Sequence, residues 1–232
     1  MSKHITIYFV VLALLFSAAL PIFALDIDMV PIPNKNYEML RTEVTQELYI
    51  EVMGKNPSDF QPNVENLPVE SVSWFDAIRF CNKLSEMEGL ESVYKKRGAT
   101  VTQNTSANGY RLPTVEEWEY AAKGGEDYLF SGSNAIDEIA WFHDNYWRGE
   151  NATLKTHPVA QKKANGYGLY DMSGNVWEWC WDEKPYNNAY RLACGGSWDH
   201  ELADCKVSGE GDWYRATDRD NCVGFRIVRN IK

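Results

Sequence analysis

The chain has 232 residues, with 23 Lys and Arg against 33 Asp and Glu and a net charge of −10. That balance argues against a nucleic-acid partner or an anionic membrane surface, both of which call for a basic face. Five cysteines, none in a two-residue spacing, argue against a zinc knuckle or a thioredoxin-like motif.

Met1 to about Ala24 reads as a signal peptide. A short polar start precedes an apolar run from Ile5 to Leu20, and Ala24 suits a cleavage site. The run is short for a membrane span, which needs ~20 residues, so no span is expected in the mature chain, although an uncleaved anchor stays open. The expected product is exported: periplasmic, cell-surface or secreted. With no linker, repeat or low-complexity tract, residues 25–232 read as a single domain with one sizeable core.

Leu25 to Pro33 is a strand candidate that its prolines confine to an edge. Glu43 to Met53 has helical spacing, with Thr42 or Thr45 as cap and Gly54 as stop. Ser73 opens a second helix whose apolar stripe is Trp74, Ala77, Ile78, Cys81 and Leu84, ended by Gly89. Val93 to Asn108 reads as loop or a short hairpin, and Tyr110 to Pro113 as extended. Thr114 and Glu117 fit a capping box for a third helix that stops at Gly124 and Gly125. Ser131 to Pro158 is irregular but aromatic, so it is expected to be packed.

The chain is organised around Gly166 to Trp181. Trp177, Trp179 and Trp181 alternate, which puts three indoles on one strand face and Val176, Glu178 and Cys180 on the other. Each indole can bury on the order of 200 Å², so the segment should be core. A carboxylate at Glu178 is costly there unless it is exposed or paired. Solvent, an Arg partner and a hard cation using turn carbonyls are three ways to satisfy it. Arg191 to Trp198 and Val223 to Arg229 read as the last strands. Between them, Asp199 to Cys222 is rich in Asp and Gly. Long ordered loops are uncommon unless functional. The expected class is α+β with long packed loops.

Several motifs now stand together: Tyr110-Arg-Leu-Pro-Thr-Val-Glu-Glu-Trp118, Asn165 to Trp179, Arg191 with Gly195-Gly-Ser-Trp198, and Gly224-Phe-Arg-Ile-Val228, with Arg41 to Thr45 and Pro68 to Trp74 upstream. In this order they resemble the formylglycine-generating-enzyme (sulfatase-modifying factor) family over roughly Met29 to Asn230. The resemblance implies a C-type lectin fold in that family's elaborated form. The family's enzymes oxidise a sulfatase cysteine with a cysteine pair and copper. Carried over by position, Cys205 stands at the first cysteine and Glu210 at the second, which removes a soft thiolate that copper(I) needs. No copper is therefore expected. The alternative is a copper-dependent oxidase acting on a peptide cysteine through Cys205.

A second branch is more similar: the variable proteins of diversity-generating retroelements, such as the treponemal variable protein, which use this fold as a display scaffold. In them the segment before Gly-Phe-Arg is mutagenised at adenines. Residues here that adenine changes in asparagine codons can produce are Ala193, Cys194, Asp199, His200, Asp204, Gly209, Gly211, Asp212, Tyr214, Asp218, Asp220 and Cys222. With Trp213 they form the expected ligand-binding surface, for an unknown macromolecular partner, expected to be a protein. An Asp- and Gly-rich composition is also ordinary for a loop. The family also binds calcium. By position its ligands would be the carbonyls of Asp171, Gly174 and Val176 and the Glu178 carboxylate.

Overall fold

The computed structural model describes residues 25, 27–61, 65–98, 100–143, 155–209 and 211–231. The expected signal peptide lies outside them, as does Glu210. Among the described residues no helix is long and apolar enough to cross a membrane.

Among the described residues, two four-stranded sheets, a hairpin and three α-helices make an α+β fold. The first sheet runs β1 (Met29–Pro31), β2 (Tyr37–Leu40), β10 (Val228–Asn230), β5 (Tyr110–Arg111). The second runs β8 (Asp212–Arg215), β7 (Asn187–Cys194), β6 (Trp177–Lys184), β9 (Val223–Gly224). The hairpin is β3 (Tyr94–Arg97) with β4 (Thr100–Gln103). β1 sits at an edge, where a proline costs the ladder nothing.

The helices follow their caps. In α1 (Gln46–Met53) the Thr45 hydroxyl accepts from the Leu48 amide, so the helix starts after Glu43 and Val44. α2 (Trp74–Met87) and α3 (Val115–Lys123) open on full capping boxes, Ser73 with Asp76 and Thr114 with Glu117.

β6 has a core cluster on each face. Trp177 and Trp179 join Tyr49, Trp74, Phe80 and Phe225 on one, with Trp181 packed against them. Cys180 joins Trp118, Met172, Leu192 and Cys194 on the other. An indole burying on the order of 200 Å² is worth roughly 5 kcal/mol by area. The Trp179 indole also donates to the Val72 carbonyl (2.9 Å), and the Trp74 indole to that of Cys180 (2.9 Å).

Three expectations need correction. Val223 to Arg229 is not one strand. β9 pairs parallel with β6, and the chain then crosses through Phe225 to Ile227 into the first sheet as β10. The crossing needs Gly224, since a Cβ there would lie 2.4 Å from the Val69 carbonyl oxygen. The strand expected from Arg191 to Trp198 starts earlier and ends at Cys194. β8, inside the presumed loop, pairs with β7.

Candidate binding surface and the buried carboxylate cluster

The turn before β6 is tight. Asp171 and Asn175 hold positive φ (57° and 61°). A Cβ on Gly174 would sit 2.2 Å from the Trp141 carbonyl oxygen. Glu178 then enters the core at 1% exposure and meets Arg226, which is fully buried. Arg226 Nη2 lies 2.7 Å from Glu178 Oε1, and its Nε is 3.1 and 3.0 Å from the two carboxylate oxygens. The Trp118 indole donates to Oε2 at 2.7 Å. The other guanidinium hydrogens go to the carbonyls of Leu40, Arg41 and Tyr170 at 3.0, 2.9 and 2.7 Å. The Arg226–Glu178 pair thus ties β2, α3, the turn and β6 together.

This pairing bears on the calcium expectation at Glu178. Of its three ways to be satisfied, the Arg partner is the one the structure shows. Both oxygens already accept from Arg226 and Trp118, so a metal ion would have to share this carboxylate with the guanidinium. Among the described residues no group of three or more His, Cys, Asp or Glu is arranged to hold a metal. Gly174 and Val176 lie in the buried turn and at the foot of β6.

Two more acids lie in the same electrostatic cluster. Glu43 is fully buried and neither carboxylate oxygen has a hydrogen-bond partner; Asp171 Oδ1 is likewise without one. Asp171 Oδ2 accepts from the Ala160 amide at 2.7 Å. Burial, then the neighbouring Asp171, push the Glu43 carboxyl well above its ordinary range. Burial pushes Asp171 up to about 6, against the opposing pull of the Ala160 amide and Arg226. Three acids facing one guanidinium favour protons on the two that lack direct ion pairs.

The expected ligand-binding residues divide by burial. Asp199, Asp212 and Asp220 are exposed; His200, Asp204, Gly209, Gly211, Trp213, Tyr214 and Asp218 are half-buried. Ala193, Cys194 and Cys222 are buried and do not belong to a contact surface. Ala193 and Cys194 end β7 inside the core clusters, and Cys222, just before β9, belongs to the first of them. The exposed part is locally braced. The Asp218 carboxylate accepts from the Arg215 amide (3.0 Å) and that of Asp220 from the Cys222 amide (3.2 Å). Ser197 Oγ and His200 Nδ1 are 2.6 Å apart, and His200 stands edge-on to Trp177. The Tyr214 ring stands edge-on to Trp179 at 5.7 Å. Leu202, 40% exposed on the same loop, is an apolar surface residue that the adenine pattern misses.

The cysteines lie in the interior. All five are free and buried. Cys205 sits among Phe130, Ile136, Ile139, Ala140 and Phe142, and burial raises its thiol to about 12. Burial there disfavours the thiolate, which is the form that acts as nucleophile and ligand. The sulfurs that meet are Cys180 and Cys194, on adjacent strands 3.8 Å apart. Burial, then the Cys194 sulfur, push the Cys180 thiol well upward. The recess where Cys194, Asp204, Gly209 and Gly211 meet has a volume of about 10 Å³, room for about one water.

The chain matches the sulfatase-modifying factor enzyme 1-like domain over residues 19–231. The solved structure of Treponema denticola variable protein 1 superposes with a TM-score of 0.75 at 34% identity, covering 88% of this chain and 92% of that one. The structure of CarF superposes with a TM-score of 0.72 at 27% identity, covering 84% and 87%. A Paenibacillus barcinonensis protein named chaperone protein LppX is 41% identical over 222 residues, covering 81% of this chain and 78% of that one. The formylglycine-generating enzyme of Mus musculus is 34% identical over 126 residues, which span 50% of this chain and only 27% of the enzyme. The fold is thus the C-type lectin fold in its formylglycine-generating-enzyme-like form, and the chain belongs to the sulfatase-modifying factor (formylglycine-generating enzyme) family.

Proposed function

We propose that this protein is an exported, non-catalytic binding protein. Its contact surface is the loop from Asp199 to Asp220, with Asp212, Trp213 and Tyr214 at its centre. The observation that carries the reading is the contrast within the loop: Cys205 is sealed in an apolar cluster, while the aspartates and part of the aromatics remain open to solvent on braced backbone. Tyr and Trp offer rigid contact area and short polar residues offer adaptable hydrogen bonds, the chemistry of antibody loops. The likeness to a variable protein at 34% identity supports display as the use of this fold. A relative named as a chaperone supports a protein as the ligand. Residues 25–232 act as one folding unit on this reading, and no copper takes part.

Copper(I) titration separates this from the oxidase alternative. The wild-type chain is expected to take up no stoichiometric copper. Uptake of one equivalent that disappears in Cys205→Ala would sink the binding reading. The retroelement link has its own check. A near copy of the 3′ coding segment beside a reverse-transcriptase gene supports it, and a solitary gene removes it.

A further inference from the structure

A cleft of about 310 Å³ opens among β4, the start of α2 and strands β6 to β8. Phe75, Val101 and Ala216 supply its apolar wall, and Arg191, Arg215 and Glu183 its polar one. The volume is in the range of small-molecule sites.

Arg191 is built into this cleft. It is 5% exposed, and its guanidinium lies 4.3 Å from the centroid of the Trp74 ring. Nη1 donates to the carbonyls of Asn188 and Tyr190 (3.0 and 3.2 Å), and Nη2 to Glu183 (2.8 Å). Nε has no partner. A guanidinium has five N–H donors in a planar fork, and three are spent. A buried donor left without an acceptor is costly, and a carboxylate is the acceptor whose geometry matches the open side of the fork. Arg215 adds a second, exposed cation at the rim, where its Nε donates to the Tyr190 hydroxyl at 3.3 Å. The Lys96 ammonium sits 4.2 Å from the centroid of the Phe75 ring. Three cations against Glu183 reverse the sign of a protein whose net charge is −10.

We propose that this cleft binds a small monocarboxylate with an apolar body. The carboxylate takes the free edge of Arg191 and the Arg215 side chain, and the body lies on Phe75, Val101 and Ala216. Glu183 disfavours a second carboxylate at the same end. The cleft shares Arg215 and Ala216 with the Asp199–Asp220 segment, but Arg191, Glu183, Phe75 and Val101 lie outside it, so binding of a small carboxylate to the isolated chain reads this site and not the capture of a partner.

Calorimetric titration of the mature chain with 4-phenylbutanoate, and with the matching amide, tests this. Saturable one-to-one binding of the carboxylate is expected, with the amide weaker by about tenfold or more, the difference of one charge-assisted pair. Val101→Trp, which fills the cleft without touching the guanidinium, is expected to abolish binding with an unchanged melting temperature. Arg191→Lys is expected to weaken the carboxylate by about tenfold and leave the amide unaffected, because Lys lacks the planar fork. The inference is overturned by equal affinity for carboxylate and amide, by binding that survives Val101→Trp, or by no saturation up to about 10 mM, where affinity carries no specificity.

Discussion

Glu178 and Asp212 are both acids on the same sheet, yet they live by opposite rules. Glu178 is 1% exposed and its charge is matched atom by atom by Arg226 and Trp118. Asp212 is exposed at the start of β8 and answers only to water and its own backbone. The family's scaffold puts its charge where four elements meet, and the loop puts its charge where nothing else depends on it. Such a division lets the surface change while the frame stays intact.

The sharpest way to break the comparison is Arg226→Met. Removing one member of a buried pair strands the other, at about 3–5 kcal/mol. Urea denaturation is expected to show a loss of that size, and a loss under about 1 kcal/mol would mean that Glu178 reaches solvent or another partner. Next comes the border of the loop. Ala193→Tyr forces a ring into a closed core and is expected to cost about 1–3 kcal/mol. Asp212→Tyr, one ladder partner away on β8, is expected to stay within about 0.5 kcal/mol. Equal effects at the two positions would erase the distinction between frame and surface.

A smaller effect concerns pH. His157 stacks on Trp141 at 3.8 Å, and burial, then Lys155 and Lys162, lower its pKa to about 4 from an ordinary 6.5. Between those values the unfolded chain binds more protons than the folded one, so stability is present above pH 6.5 and drains away as pH falls toward 4. Asp171, raised to about 6, works the other way: its contribution is greatest in acid and is lost as pH rises through that value. Nuclear magnetic resonance is expected to place the His157 midpoint near 4. The pH dependence of the urea midpoint should flatten in His157→Gln, and a midpoint near 6.5 would show the ring to be solvated. The smallest expected effect is that of calcium. Because Arg226 already neutralises Glu178, adding calcium or chelator should move the melting temperature by less than about 2 °C; a larger shift would return that carboxylate to a metal.

Much of the frame was readable. Alternating indoles placed β6 in the core, and capping boxes located α2 and α3, because both signals act over a few residues. The Glu178–Arg226 pair was half readable. A glutamate among tryptophans and an arginine between Phe225 and Ile227 each demand a partner, but 48 positions separate them, and no local pattern joins them. The cleft around Arg191 was not legible at all, since its walls come from four separate stretches of chain. The adenine-codon pattern also placed Ala193, Cys194 and Cys222 on the surface, because codon chemistry carries no record of burial.

By itself, then, the order of residues determined the helices and the core strand through short-range periodicity and turn chemistry, and the family through motifs that resemble it. Tertiary structure alone decided that one chain segment serves two sheets across Gly224, that Arg226 pairs with Glu178, and that Cys205 is sealed away. Those outcomes depend on which distant groups share a low-dielectric interior, where an unmatched charge is costly enough to select its partner.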